Sequence, residues 1–271
     1  MLKNISIIAL VILGLADAAS AQTRIFSRAY RWEAGIIVGQ SNYHGDLAPE
    51  IVLGENNNAF GIVGRYNVTT AIAIKSCLIF GKISGTDANF KANAERNLHF
   101  RSNIIEFTSQ AEFHFQPFGL QPLTKDFTPY LFTGLSVFHF NPQAEYNDEW
   151  VNLRPLGTEG QNLDGGKRYS NVSLAIPLGM GVKYNLSRNF VVGFEVGFRK
   201  AFTDYLDDVS TLYPDLEQLD ARAADLSDRS VGVDGLPQSK PGTMRGDDHL
   251  NDWFIIGGLT LTYRFTPIIC P

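Results

Sequence analysis

The run RNFVVGFEVGFRKAF, residues 188–202, alternates residue by residue. Phe190, Val192, Phe194, Val196, Phe198 and Phe202 share one parity, interrupted only by Lys200. Val191, Gly193, Glu195, Gly197, Arg199 and Ala201 share the other. A period of two places the two sets on opposite faces of a strand. Either the apolar face covers a soluble core, or it meets lipid while Glu195 and Arg199 point into an enclosed space.

The pattern recurs along the chain. Strands are expected at about 31–40, 60–68, 71–83, 99–115, 129–140, 172–184, 189–202 and 252–265. The sixth sets Leu174, Ile176, Leu178, Met180, Val182 and Tyr184 against Ser173, Ala175, Pro177, Gly179, Gly181 and Lys183. The fourth sets Ile105, Phe107, Ala111, Phe113 and Phe115 against Glu106, Thr108, Gln110, Glu112 and His114. The last sets Trp253, Ile255, Leu259, Leu261, Tyr263 and Phe265 against Gly258, Thr260, Thr262 and Arg264. The fifth is ambiguous: either Tyr130 and Phe132, or Leu131 and Leu135, face outward.

The connections run long, short, long, moderate, long, short, long. Outer-membrane barrels have short periplasmic turns and long external loops, with an even number of strands. A loop of nearly fifty residues is unusual in a compact soluble domain. Within it, Leu216, Leu219, Ala223 and Leu226 have helical spacing and suggest a short lid helix over 215–228. The expected fold is an all-β, eight-stranded antiparallel transmembrane barrel with long extracellular loops, covering 31–265. A soluble calycin-like barrel is the alternative and predicts an outer face rich in Lys and Glu. The non-oily face here is Gly, Ser, Ala and Thr with scattered charges, which suits a narrow interior.

Residues 1–21 read as a cleaved export signal: Lys3, an apolar run from 5 to 15 broken only by Ser6, then Ala19-Ser20-Ala21. Residues 22–30 form an N-terminal periplasmic segment, and 266–271 a tail beyond Phe265. No later apolar run is long enough for a transmembrane helix. A net charge of −5 without a basic stripe argues against nucleic acid as a partner. Cys77 lies mid-strand and Cys270 is penultimate, so no disulfide is expected.

The inward charges are Glu33, Glu106, Glu112 and Glu195 against Arg65, Lys75, Lys183, Arg199 and Arg264. An eight-stranded barrel is just wide enough for side chains to fill. A plugged lumen held by ion pairs is therefore expected, with a conducting pore or ligand tunnel as the competing reading. Adjacent walls, with Lys183 and Arg264, are the expected partners of Glu195 and Arg199. His44 with Asp46, and His249 among Asp247, Asp248 and Asp252, offer no nucleophile–base–orienter series. No metalloprotease, hydrolase, dinucleotide or P-loop pattern occurs. Neither catalysis, a cofactor nor a small-molecule substrate is expected. Asp204, Asp207 and Asp208 lack the glycine and terminal glutamate of a calcium loop and read as solvated or lid-anchoring acids, without metal. Arg245-Gly246-Asp247 spells the integrin tripeptide, a match too short to assign a role.

Three stretches stand together: GQSNYHGDL at 39–47, with Asn42, Tyr43, Gly45 and Asp46; TDYLDDVSTLYPD at 203–215, with Asp204, Tyr205, Asp207 and Asp208; and RGDDHLNDWF at 245–254, with Arg245, Gly246 and Asp247. In this order, with a closing TLTYRF, the mature chain resembles the PorG-like outer-membrane barrels of Bacteroidota. That resemblance implies a structural or assembly component of the type IX secretion machinery. It also implies association with a periplasmic ring of a lipoprotein and its partner, in the export of proteins carrying C-terminal secretion signals. Such a partner is expected at the periplasmic turns, above all 116–127, or at 22–30, with outer-membrane lipid around the wall. The alternative is a small outer-membrane surface protein, a narrow transporter or an adhesin, using the long loops.

Overall fold

Strands that alternate in this way satisfy their backbone groups by lateral pairing, and here the pairing continues until it meets itself. The computed structural model describes residues 31–91, 93–119, 125–230, 238–247 and 250–265. Its strands are β1 (Trp32–His44), β2 (Asn57–Asn67), β3 (Ile72–Thr86), β4 (His99–His114), β5 (Phe127–His139), β6 (Pro142–Tyr146), β7 (Glu149–Asn152), β8 (Val172–Asn185), β9 (Phe190–Ala201) and β10 (Trp253–Arg264). All but β6 and β7 form the wall, each antiparallel to its neighbours. β1 pairs with β10, Glu33 opposite Arg264, and β3 pairs with β4, Lys75 opposite Gln110. The sheet is thus a closed eight-stranded antiparallel barrel.

Wall strands of 11 to 16 residues match or exceed the roughly 9–11 that cross a bilayer, so the long-loop ends of the longer ones stand above it. The short turns after β2, β4 and β8 lie at one end, and the loops 45–56, 87–98, 140–171 and 202–252 at the other. Outward residues form a continuous apolar belt that includes Phe60, Ile62, Phe107, Leu178, Met180, Phe194 and Leu259, the arrangement of an outer-membrane barrel. Lys200, the outward break in the β9 pattern, sits near the long-loop end with its ammonium 5.5 Å from the Trp253 ring centre. A long side chain there can carry its charge up to the interface. Among the described residues no helix is long and apolar enough to cross a membrane.

The ambiguity in β5 resolves through its neighbour. Leu131 and Leu135 face outward, while Tyr130 and Phe132 are buried inside. Tyr130 lies opposite Gly181 and Phe132 opposite Gly179 in the β5–β8 register. A Cβ on Gly181 would come within 2.7 Å of the Tyr130 ring, and one on Gly179 within 2.4 Å of the Phe132 ring. The glycines make the room that the two rings occupy.

Two expectations need correction above the membrane. The connection 141–171 is not an irregular loop, because β6 and β7 form a hairpin within it and β6 continues the β4 ladder at Arg101 and Ser102. The expected lid helix over 215–228 is split into a 3-10 turn, Leu216–Gln218, and a short helix α1, Ala221–Ser227. Extended backbone at Leu219 and Asp220 separates them. Leu226 of α1 packs with Ala144 and Leu153 in a small core of its own. The segments 1–21, 22–30 and 266–271 lie outside the described residues.

Lipid-facing substitutions test the inside-out arrangement. Leu178→Arg should destabilise the barrel by about 2–4 kcal/mol if it sits near the bilayer midplane. Ser173→Thr, on the opposite parity of β8, should leave stability within about 0.5 kcal/mol. Urea unfolding in lipid vesicles, with heat-modifiable gel migration reporting the folded barrel, measures both.

Candidate functional site

Seven of the nine inward charges, all but Glu106 and Arg199, meet in the half of the lumen nearest the short turns. Arg65 donates to Glu33 at 2.6 Å and to Glu112 at 3.0 Å. Arg264 donates to the other oxygen of Glu33 at 3.0 Å, and Asn67 and Thr262 complete that carboxylate at 3.1 Å each. Glu112 also accepts from Lys183 and lies 3.7 Å from Lys75. Lys75 donates to both oxygens of Glu195 at 2.6 Å, and the Tyr130 hydroxyl donates to Glu195 at 2.6 Å. Lys183 also lies 2.9 Å from His114 Nε2, which is 3.4 Å from Glu112. All these charged side chains are buried, so each depends on its partner.

Glu195 and Arg199 do not pair with Lys183 and Arg264 as expected. Glu195 takes Lys75 instead, and Arg199 takes Glu106 at 3.4 Å, apart from the main network. Register explains part of this. Glu195 faces Gly258 on β10, six residues from Arg264, about 20 Å along the strand. Lys183 is nearer, but Glu112 holds it. β3 and β9 stand four strands apart by either route, so the Lys75–Glu195 pair crosses the lumen from wall to wall.

The other half of the lumen is largely apolar around the buried Arg199–Glu106 pair, which the small-residue reading of the inner face did not anticipate. Ile37, Ile79, Ile83, Ile104, Phe138 and Phe254 are buried there. Phe138 packs on Phe254 at 5.2 Å and on Phe140 at 5.7 Å between ring centres. Above them Phe140, Tyr169 and Tyr205 stack nearly parallel, at 6.2 and 4.5 Å. The short-turn end has a separate stopper. After β4 the chain turns inward, Phe118 donates its N–H to the Thr70 carbonyl, and its buried ring lies under Lys183, His114 and Arg264. No signal in the sequence distinguishes Phe118 from the other turn residues.

The three motif stretches, far apart in the chain, converge on the opposite rim. The Tyr43 hydroxyl is 2.7 Å from both Asp207 and Asp252. Asn42 donates to the Val52 carbonyl and to Asn56, tying down the loop after β1. Gly45 is required: a Cβ there would fall 1.9 Å from Asp252 and 2.1 Å from the Tyr43 hydroxyl. Asp46 accepts from the Asp247 N–H, and its carbonyl accepts from Arg96 at 2.9 Å. Asp208 accepts from Tyr169 at 2.5 Å and from Thr158. Arg245 is buried, donating to Glu159 at 2.9 Å and to the carbonyls of Asp208 and Ser227, so the tripeptide 245–247 is not displayed as a recognition loop. Asp204 is buried with one oxygen unpartnered. The lid reading of these acids therefore fits their surroundings better than the solvated one.

Two clefts, about 440 and 330 Å³, crease the surface beside this cluster and share Asp46, Asn93 and Asp247. His44 lines the smaller beside Asp46 and has no hydrogen-bond partner on Nδ1. His249 and Asp248 lie outside the described residues, as does Cys270; Cys77 is a buried free thiol. Among the described residues no three His, Cys, Asp or Glu side chains gather as a metal site needs.

Burial raises the lid acids: Asp204 is pushed up to about 8, and Asp46 and Asp208 to about 6. Neighbouring acids add to the rise at Asp204 and Asp46, while Arg245 opposes it at Asp208. A carboxyl whose pKa is higher folded than unfolded takes up protons on folding. Its contribution to lid stability is full below the unfolded value and declines as pH rises through the folded one. The lid should therefore resist proteolysis better near about pH 5 than near about pH 9, as limited digestion of the barrel in detergent can show. In the lumen, Glu112→Gln leaves Lys183 without a carboxylate and takes one from Arg65 and Lys75, and should cost about 3–5 kcal/mol. Adding Lys183→Met should recover part of the loss, read by urea unfolding in vesicles.

Comparison with known proteins returns distant solved barrels and one family model. Ail of Yersinia pestis, solved with the heparin analogue sucrose octasulfate, is 12% identical over 87% of this chain and 99% of its own, with a TM-score of 0.40. Neisserial surface protein A is 9% identical over 86% of this chain and 97% of its own, at 0.43. The N-terminal barrel domain of Pseudomonas aeruginosa OprF is 14% identical over 88% and 100%, at 0.37. Likenesses this distant carry no inference about the chain, whose barrel rests on its own register. No curated protein matches the sequence. The family model described as a domain of unknown function, DUF6089, matches residues 8–229, most of the chain, and the protein belongs to that family.

Proposed function

We propose that this chain is a non-catalytic barrel of the Gram-negative outer membrane, serving as the membrane-embedded anchor of a larger envelope assembly. The observation that carries the reading is the lumen, crossed by buried ion pairs, filled with Ile and Phe at one end and stoppered by Phe118 at the other. A wall so filled has no room for a solute path, which leaves its surfaces and its anchoring as its use. Lipid covers the apolar belt, and a soluble partner meets the short-turn end.

The finer assignment is a component of the type IX secretion machinery joined to a periplasmic lipoprotein-containing ring. It draws on the three loop motifs and their resemblance to PorG-like barrels of Bacteroidota. The turn expected to meet the partner, 116–127, sends Phe118 into the lumen, and the β2–β3 and β8–β9 turns share that end for contact.

A second reading is favoured by the opposite end. The four long loops carry 22 acids against nine bases, with exposed Leu212, Met244 and Leu250 among them. That composition suits a small surface protein meeting cationic partners outside the cell.

Deletion of the gene separates the two. The assembly reading expects loss of export of proteins with C-terminal secretion signals, and recovery of periplasmic ring components with the solubilised barrel. Intact secretion with no ring component recovered removes it and leaves the surface reading. Planar-bilayer recordings should show no steady conductance; a large one would contradict the filled lumen.

A further inference from the structure

The Tyr43 hydroxyl carries one proton and has two acidic neighbours. Its oxygen lies 2.7 Å from Asp207 Oδ2 and 2.7 Å from Asp252 Oδ1. The other oxygen of each carboxyl is already occupied. Asp207 Oδ1 accepts the Val209 N–H and Asp252 Oδ2 accepts the Leu206 N–H, both at 2.9 Å. A phenol donates to one acceptor, so the second short oxygen–oxygen contact needs a proton of its own. That proton has to come from a carboxyl, which then donates to the Tyr43 oxygen while Tyr43 donates to the other carboxylate.

The surroundings favour the same arrangement. Tyr43, Asp207 and Asp252 are buried, and among the described residues no Lys or Arg bonds to either acid. The charged and titratable groups facing them are Asp46 from the loop after β1, Asp204 from their own loop, Tyr169 from the connection before β8, and Arg96 from the loop after β3. Arg96 is committed to Asp87 at 2.6 and 2.9 Å and to two backbone carbonyls. Both carboxyls are held well above the usual carboxylate range, first by burial, then by Asp46 for Asp207 and by Asp207 for Asp252.

We propose that the segment 203–210 is latched to the barrel rim by one proton shared between Asp207 and Asp252 across the Tyr43 hydroxyl. The latch closes the lid over the lumen while the proton is held and releases it when the proton leaves. The held segment is the part that inserts Leu206 and Val209, both buried, into the apolar upper core. Loss of the proton leaves two buried carboxylates facing one phenol, and lifting 203–210 toward water relieves them.

The test reads amide hydrogen-exchange protection at Leu206 and Val209, corrected for intrinsic exchange, on the full chain refolded in detergent. Wild-type protection should fall with rising pH, the shared proton contributing about tenfold per pH unit above its release. Asp252→Asn supplies the missing hydrogen permanently: its amide N–H₂ donates to Tyr43 and its carbonyl accepts from Leu206. That variant should stay protected at about pH 9 and lose one proton from the slope. Tyr43→Phe should be poorly protected at neutral pH and regain protection in acid. Heat-modifiable migration confirms that each barrel is folded. A slope in Asp252→Asn equal to wild type would assign the titration to Asp46 or Asp204 and overturn the latch. So would a flat wild-type profile, or recovery of wild-type protection at alkaline pH on adding calcium.

Discussion

Hydrocarbon offers no hydrogen-bond partner to a backbone N–H or C=O, so a sheet can lie within it only when every strand has two neighbours. Here the condition is met where β3 joins β4, along fifteen residue pairs from Ile72–Phe113 to Thr86–His99. With eight strands closed, the interior width is no longer adjustable, and its contents must fit. The Tyr130 and Phe132 rings enter where the facing strand has no side chain, at Gly181 and Gly179. Charges enter only where another charge reaches them, as at Glu33, Glu112 and Glu195. Closure is thus the cause of which buried interactions are possible.

How much of this was legible follows from how far each interaction reaches. Parity along a strand is a local property, and the alternation of Phe190, Val192 and Phe194 with Val191, Gly193 and Glu195 separates outside from inside without knowledge of neighbours. Angular position around the barrel is not local. That Lys75 faces Glu195 depends on β3 and β9 being opposite and on the register of every ladder between them. Adjacent walls were the natural expectation, and a narrow lumen made the longer reach available. The side of β5 depended on the glycines of β8, visible in the sequence but paired with β5 only once the register is known. Phe118 carried no mark at all, because a turn phenylalanine reads the same whether it points into the lumen or toward the membrane surface.

The loop motifs show a different limit. Asn42, Tyr43, Gly45 and Asp46 carried only a family resemblance, and Asp204, Asp207 and Asp208 looked like solvated acids or lid anchors. Their residue types make sense only together: Gly45 is small because Asp252 and the Tyr43 hydroxyl occupy the space a Cβ would need. Arg245 is an arginine because Glu159 and two carbonyls converge on it. The hairpin β6–β7 was missed for a related reason, since four or five residues of strand are too few to show a period above the noise of a loop.

The Lys75–Glu195 pair has a mechanical meaning beyond charge balance. A closed ladder is a hoop: it resists being pulled apart along its circumference but yields easily to flattening, which bends strands without breaking their hydrogen bonds. A strut across the diameter is strained by flattening along either axis, being shortened in one direction and stretched in the other. With β3 and β9 joined in this way, squeezing the cross-section toward an ellipse must deform a buried ion pair. The barrel is braced against the lateral pressure of its own membrane, and a partner pulling on one face would move the wall opposite.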